Sequence, residues 1–246
     1  MLRWISLIAA LGVLSIAQPS AASVTIDFAG GNSPSSGAAG NIATYTGGGV
    51  AVLASGWSSG GSSIQSAFLG QYSDGLGVTN QAEGNGNAPG QDAIDNTSGN
   101  DGVLLVFDQP VSLLFATLIP VQHGNNQSDN DVTIAFANFA GTFALISGSP
   151  LWSNLGSTAY SMPGNGNAPF STLISSGANY ANAWYVSADI LGLDHSSDGF
   201  RLSKITVNTP AVPEPSSWAM GLLGFWAVGS RLRRTKSPAG RLAQLA

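Results

Sequence analysis

The 246-residue chain has no cysteine, two histidines and few charges: eight Lys+Arg and thirteen Asp+Glu, 9% of its residues, where an ordinary soluble domain carries roughly 25%. Without cysteine there is no disulfide framework, no Cys-ligated zinc, no iron–sulfur cluster and no thiol nucleophile. His123 and His195 are too few for a three-histidine metal site. The scarcity of bases, with a net charge of −5, argues against a nucleic-acid partner, whose phosphates are held by clustered Lys and Arg. Glycine is plentiful, with 32 residues, and Ser, Thr, Asn and Gln carry the polar load. A chain of this length makes one or two domains and can bury a full core.

The few charges are unevenly placed. Arg3 lies near the start, and Arg231, Arg233, Arg234, Lys236 and Arg241 fall within the last sixteen residues. Between Ser23 and Pro215, only Arg201 and Lys204 are set against all thirteen acids, a net of −11. Basic ends around an acidic body point to targeting or membrane contact at the termini.

Residues 1–22 have the three parts of a secretory signal. Arg3 supplies the basic start, residues 4–17 an apolar run, and Ser20-Ala21-Ala22 the small residues of a cleavage site. The expectation is a helical signal peptide handled by the Sec machinery, with signal peptidase cutting between Ala22 and Ser23. About fourteen apolar residues fall short of the ~20 that span a bilayer.

At the other end, Val212-Pro213-Glu214-Pro215-Ser216-Ser217-Trp218-Ala219-Met220 leads into an apolar run and closes on Arg231-Leu232-Arg233-Arg234. Prolines on both sides of Glu214 keep that segment stiff and extended, a form a processing enzyme can grip. The basic cluster would hold the tail on the cytoplasmic side. This string closely resembles the PEP-CTERM sorting signal of exosortase substrates. The resemblance implies a short helical C-terminal sorting segment at 210–234, serving as a transient transmembrane anchor, and a short tail at 235–246. It implies exosortase processing near Val212, Pro213, Glu214 and Pro215, with Arg231, Arg233 and Arg234 as the membrane stop. The destination would be the cell surface or extracellular matrix of a Gram-negative-type bacterium. The apolar run at 218–228 is eleven residues, roughly 17 Å at helical rise against a core of about 30 Å.

The body, residues 23–209, lacks helical periodicity. It shows short apolar alternation between Gly/Asn/Ser/Pro clusters, the pattern of an all-β domain. We expect a single β-sandwich, jelly-roll-like, of about 8–11 strands. Val24, Ile26 and Phe28 alternate with Thr25 and Asp27, and Val132, Ile134 and Phe136 do likewise. Residues 103–107 and 111–119 are apolar on both faces and read as central strands, joined by a hairpin turn at Asp108-Gln109-Pro110. Residues 141–147, 184–190 and 200–207 complete the set, the last with a change of apolar phase that indicates a bulge near Ser203. Residues 30–40, 55–63 and 80–90 read as long glycine-rich loops. Gly84-Asn85-Gly86-Asn87-Ala88-Pro89 recurs at 164–169, either as a duplicated turn or as convergent loop composition.

Gly75-Leu76-Gly77-Val78, Ile94-Asp95-Asn96, and Leu105-x-Phe107-x-x-x-Val111-x-Leu113 resemble the core of exosortase-dependent surface proteins. That resemblance implies a secreted β-sandwich of no assigned enzymatic activity.

Candidate chemistry is sparse. Gly56-Trp57-Ser58-Ser59-Gly60 fits G-x-S-x-G, with His195 downstream, yet no helix follows to make a nucleophile elbow. Asp92, Asp95 and Asp101 share one loop with Asn96 and Asn100, the hard oxygen set that calcium takes, so Ca2+ is the one candidate cofactor. Asp129 with Asp131, and Asp194 with Asp198, form further acidic groups. All three groups read equally as turn residues, Asp95 in particular as an Asx-turn. Trp57, Trp152, Trp184, Tyr72, Tyr160 and Tyr180 could stack on sugar rings if exposed. The expected function is a non-enzymatic exported protein, structural or adhesive, with extracellular polysaccharide as a candidate partner. A carbohydrate-binding module is the alternative and a secreted hydrolase the third reading.

Overall fold

The alternation at 23–28 is realised as β1 (Ser23–Asp27): Val24 and Ile26 are buried, Ser23, Thr25 and Asp27 are exposed, and Phe28 extends the buried row. The structure, a computed structural model, describes residues 21–59, 64–84, 91–121, 130–138, 159–162, 170–173, 179–190, 197–211 and 215–234. The remaining strands are β2 (Ile42–Gly47), β3 (Val50–Ser59), β4 (Ile64–Ser66), β5 (Phe68–Gln71), β6 (Leu76–Thr79), β7 (Ile94–Asp95) and β8 (Asn100–Pro120). They continue with β9 (Val132–Ala137), β10 (Ala159–Met162), β11 (Phe170–Leu173), β12 (Ala181–Ala188) and β13 (Gly199–Asn208), and the one α-helix among the described residues, α1, is Pro215–Arg234. The thirteen strands among the described residues exceed the expected eight to eleven because β4 and β7 are pairings of three and two residues.

Residues Ala22–Pro210 form one compact unit, an all-β sandwich whose strands pair antiparallel. One sheet runs β10–β9–β12–β8–β3, with β2 and β4 in succession along the far edge of β3. The other runs β11–β8–β13, and β1, β6 and β7 line the far edge of β13, with β5 outside β6.

The 21-residue strand β8 belongs to both sheets, and this corrects the expected hairpin at Asp108-Gln109-Pro110. Residues 100–107 pair with β3 and residues 112–120 with β13. The chain runs straight through the supposed turn, changing sheets there. Pro110 has no N–H to give a ladder, so it is tolerated where a strand leaves one sheet for another. Upstream, the two-faced burial expected of a central strand is present. Val103, Leu105 and Phe107 enter the main core, while Leu104 and Val106 join Trp57, Ala183 and Tyr185 on the opposite face. Each such side chain contributes roughly 1.5–3 kcal/mol by burial.

In β13, Phe200, Leu202, Ile205 and Val207 are all buried, and the register with β8 shifts between Leu202 and Lys204. The bulge therefore sits at Ser203, where the phase change placed it, and the Ser203 carbonyl accepts from Phe28 N at 2.8 Å.

Two expected loops hold structure. Residues 55–59 continue β3, where Gly56 lets the β5 backbone come close; a Cβ there would lie 3.2 Å from Leu69 N. Gln81–Glu83 forms one 3-10 turn. Residues 1–20 of the signal peptide expected at 1–22, the strand expected at 141–147, and the paired Gly-Asn repeats beyond Gly84 lie outside the described residues.

In α1, Met220, Leu222, Leu223, Phe225, Trp226 and Val228 are exposed. Among the described residues no helix is long and apolar enough to cross a membrane, which corrects the expected transmembrane helix. Its apolar run of eleven residues is flanked by Ser216 and Ser217 on one side and Gly229 and Ser230 on the other.

Candidate functional site

The I-D-N segment is placed by β13: Ile94 pairs with Phe200 and Asp95 with Gly199. β6 of the G-L-G-V segment lies beside the same strand, Leu76 opposite Leu202. Its glycines are steric requirements, because a Cβ on Gly77 would lie 1.9 Å from Asp92 O and one on Gly75 2.5 Å from Leu202 O. The two segments therefore meet as neighbours along β13. They carry Asp95 to the start of β8, where Asp101 pairs with Ser58 of β3.

Glu83 completes the site. Asn80 caps the 3-10 turn, its Oδ1 accepting from Ala82 N at 2.8 Å and Glu83 N at 3.2 Å, while Asn80 N donates to Glu83 Oε2 at 2.8 Å. This reciprocal capping box turns the Glu83 carboxylate inward. Oxygens of Glu83, Asp95 and Asp101 lie within 4.8 Å of one another, and the three residues are 5%, 0% and 0% exposed. Asn80 Nδ2 donates to both Asp101 oxygens, at 3.1 and 3.3 Å. Thr97 N donates to Asp95 Oδ1 at 2.7 Å, the Asx-turn expected of that residue.

Burial is the main force on these acids. It pushes the Glu83 carboxyl up to about 9, with the charges of Asp95 and Asp101 adding to the effect and the Asn80 backbone opposing it. Asp101 is raised well above its ordinary value by burial and by Asp95, against the hydrogen bonds of Ser58 and Asn80. The Tyr185 phenol is raised by burial and by Asp101. Three carboxylates this close are neutralised either by shared protons or by a cation. An all-oxygen set suits a hard divalent ion such as Ca2+.

The expected trio Asp92, Asp95 and Asp101 is thus divided. Asp95 and Asp101 meet Glu83, while the Asp92 carboxylate goes to Arg201 at 2.7 Å. Glu83 falls in the glycine-rich 80–90 stretch expected to be loop; the signal that marks it is the spacing Asn80-x-x-Glu83, a capping-box pattern. Of the other acidic groups, the Asp198 carboxylate is held from two sides. Asn96 Nδ2 donates to Asp198 Oδ2 at 2.6 Å, and Asp131 N donates to Asp198 Oδ1 at 3.1 Å. Asp129, Asp194 and His195 lie outside the described residues.

Ser58 is buried within β3 and hydrogen-bonds Asp101, so it does not stand on a strand-to-helix elbow. A shallow cavity of about 70 Å³ beside it is lined by Ser58, Gln65, Ser66, Asn80, Gln81, Ala82 and Ser98. Trp57, Tyr72 and Trp184, candidates for sugar stacking, are buried and Tyr180 is half-buried. The side chains of Trp152 and Tyr160 lie outside the described residues.

Among the terminal residues, Ser23 opens β1 opposite Asn208, and Ala22 O accepts from Thr209 N at 3.1 Å. Val212, Pro213 and Glu214 lie outside the described residues, Pro215 begins α1, and Arg231, Arg233 and Arg234 fall in its last turn. Compared with family models, curated proteins and solved structures, the chain matches none.

Proposed function

We propose that the chain is an exported, non-enzymatic protein, sorted by exosortase to the cell surface or extracellular matrix, where the sandwich has a structural or adhesive role. The observation that carries this reading is the order of parts at the C-terminus. The last strand ends at Asn208, the Val-Pro-Glu-Pro string follows, and then comes α1 with its apolar side chains exposed. Prolines on both sides of Glu214 disfavour helix in the string itself, which suits it to a processing enzyme. The exposed apolar helix supplies membrane contact while that enzyme acts, and Arg231 to Arg234 keep its end at the headgroups. Fractionating cells with and without the exosortase tests it: loss of surface delivery, with a change in mass, is expected. Unchanged localisation and mass would overturn it.

Within that reading, Glu83, Asp95 and Asp101 are proposed to hold Ca2+ as a structural ion rather than a catalytic one. Their burial supports this, because a wholly enclosed ion pins three segments of chain without presenting a face to substrate. A melting temperature indifferent to chelator and to added Ca2+ would remove the ion from the proposal.

A further inference from the structure

β5 is an edge strand: β6 pairs with one side of it, and no strand pairs with the other among the described residues. Leu69 faces Val78 and Gln71 faces Leu76, and at alternate residues of such a pair the N–H and C=O point outward. An outward row of this kind is a template for another chain, and proteins blunt it with Lys, Pro or a bulge. β5, reading Phe-Leu-Gly-Gln, has none of these.

Its outward groups are nevertheless all engaged, by residues of the glycine-rich 30–41 segment. Asn41 Nδ2 donates to Leu69 O at 2.7 Å and Leu69 N donates to Asn41 Oδ1 at 2.8 Å. One carboxamide therefore acts as the peptide group of a missing strand. Two residues on, Gln71 N donates to Ser33 Oγ at 2.9 Å and Ser33 N donates to Gln71 O at 2.9 Å. Gly31 N donates to Tyr72 O at 3.1 Å and Gly40 N to Ala67 O at 3.0 Å. Thr79 Oγ1 and Tyr72 OH donate to the Ser35 and Pro34 carbonyls at 2.6 and 3.3 Å. The glycines are what let the segment lie so close: a Cβ on Gly31 would meet Gln71 at 2.4 Å, and one on Gly37 the Phe68 ring at 2.5 Å.

We propose that the 30–41 segment is an edge guard: Ser33 and Asn41 occupy the hydrogen-bonding positions of a neighbouring strand and so keep β5 from pairing with β5 of a second copy. The second copy is the partner excluded because an antiparallel edge is complementary to itself, and this uncharged edge has nothing of its own to repel one. The inference is independent of the delivery route.

The test uses the full chain in detergent micelles, comparing the parent with Ser33→Ala/Asn41→Ala by light scattering and amide hydrogen exchange. The double variant is expected to reach about twice the parent's protein mass or more as concentration rises. Its Leu69 and Gln71 amides should be protected when concentrated and exposed on dilution. A mass equal to the parent's at every concentration overturns the proposal. If the double variant does not fold, Asn41→Ala alone gives the same two readouts. In the parent, the Leu69 and Gln71 amides should exchange as slowly as those of Phe68 and Gly70, and free exchange at both overturns the guard whatever the variants do.

Discussion

Arg201 Nη2 lies 2.7 Å from Asp92 Oδ2, and this one ion pair decides which acids share the buried site. The same guanidinium holds Asp74 through Nη1 at 2.7 Å and stacks 4.2 Å from the centre of the Tyr72 ring. Arg201 and Lys204 are the only bases between Ser23 and Pro215, and Lys204 is exposed. With Arg201 committed to Asp74 and Asp92, Glu83, Asp95 and Asp101 are left to be neutralised by protons or by a cation.

Replacing Arg201 with Met should leave two acids facing each other across an empty space. The loss expected is about 1–3 kcal/mol, below that for a fully buried pair because Asp74 is 34% exposed and screened by water. Adding Asp92→Asn to the Arg201→Met variant should recover part of it. Urea midpoints of the parent, the two single variants and the double variant measure this coupling; strictly additive losses would show that the pair is not coupled.

The raised Glu83 carboxyl ties stability to pH with a definite sign. Its folded value of about 9 lies above the ordinary 4.5, so the folded state holds the proton longer than the unfolded chain. In chelator, the melting temperature should be highest below pH 4.5 as far as this group is concerned, and fall as pH rises toward 9. In the proposed site Ca2+ would replace the proton, so adding it should restore stability most at pH 8 and least at pH 5. Glu83→Gln retains an acceptor for Asn80 N and cannot ionise; it should flatten the pH slope and abolish the response to Ca2+. A parent whose stability in chelator rises from pH 5 to 8 would contradict the assignment.

What was legible in sequence was the local pattern. Alternation in β1, two-faced burial in the first half of β8 and the phase slip at Ser203 are properties of consecutive residues; β9 forms a strand where expected, but Thr133 and Ala135 are buried along with Val132 and Ile134, so its alternation does not divide core from solvent. What escaped depended on distant partners. Pro110 ends most strands, yet here a second sheet takes up β8 beyond it. β3 was hidden because Ser55, Gly56, Ser58 and Ser59 look like loop until β8 lies beside them. Asp92 looked like a ligand until Arg201, far along the chain, claimed it. Glu83 was within reach, since its capping-box spacing from Asn80 is local.

Glycines with the same look in sequence should respond oppositely to substitution. At Gly77 a new Cβ would lie 1.9 Å from the Asp92 carbonyl oxygen, and backbone must move to admit it. Gly77→Ala should cost about 1–3 kcal/mol or more by overpacking, and should loosen the Asp92–Arg201 pair with it. At Gly221, inside α1, nothing lies within 4 Å of the added Cβ, and alanine favours helix by about 1 kcal/mol. Thermal melts of Gly77→Ala should show the loss, and circular dichroism of Gly221→Ala an unchanged or higher helix content. A neutral Gly77→Ala would remove the steric account of the G-L-G-V segment.

The proposed cleavage before Ser23 can be weighed against the pairing of β1. All five of its residues, Ser23 to Asp27, pair with β13, and Val24 and Ile26 are buried. Cleavage between Ala22 and Ser23 preserves every one of these pairs and gives up the bond from Thr209 N to Ala22 O, a loss of about 0.5–1.5 kcal/mol. A cut two residues later would remove Val24 from the core and two rungs from the edge of the sheet. On the proposed export route, intact-mass analysis of the exported protein should find Ser23 as the first residue. Ala22→Arg places a large charged side chain where the peptidase requires a small one; the uncleaved precursor should accumulate at the membrane, its sandwich intact. A mature chain that begins beyond Val24, with the melting temperature of the Ser23 form, would show that the β1 edge is dispensable and that this boundary is misplaced.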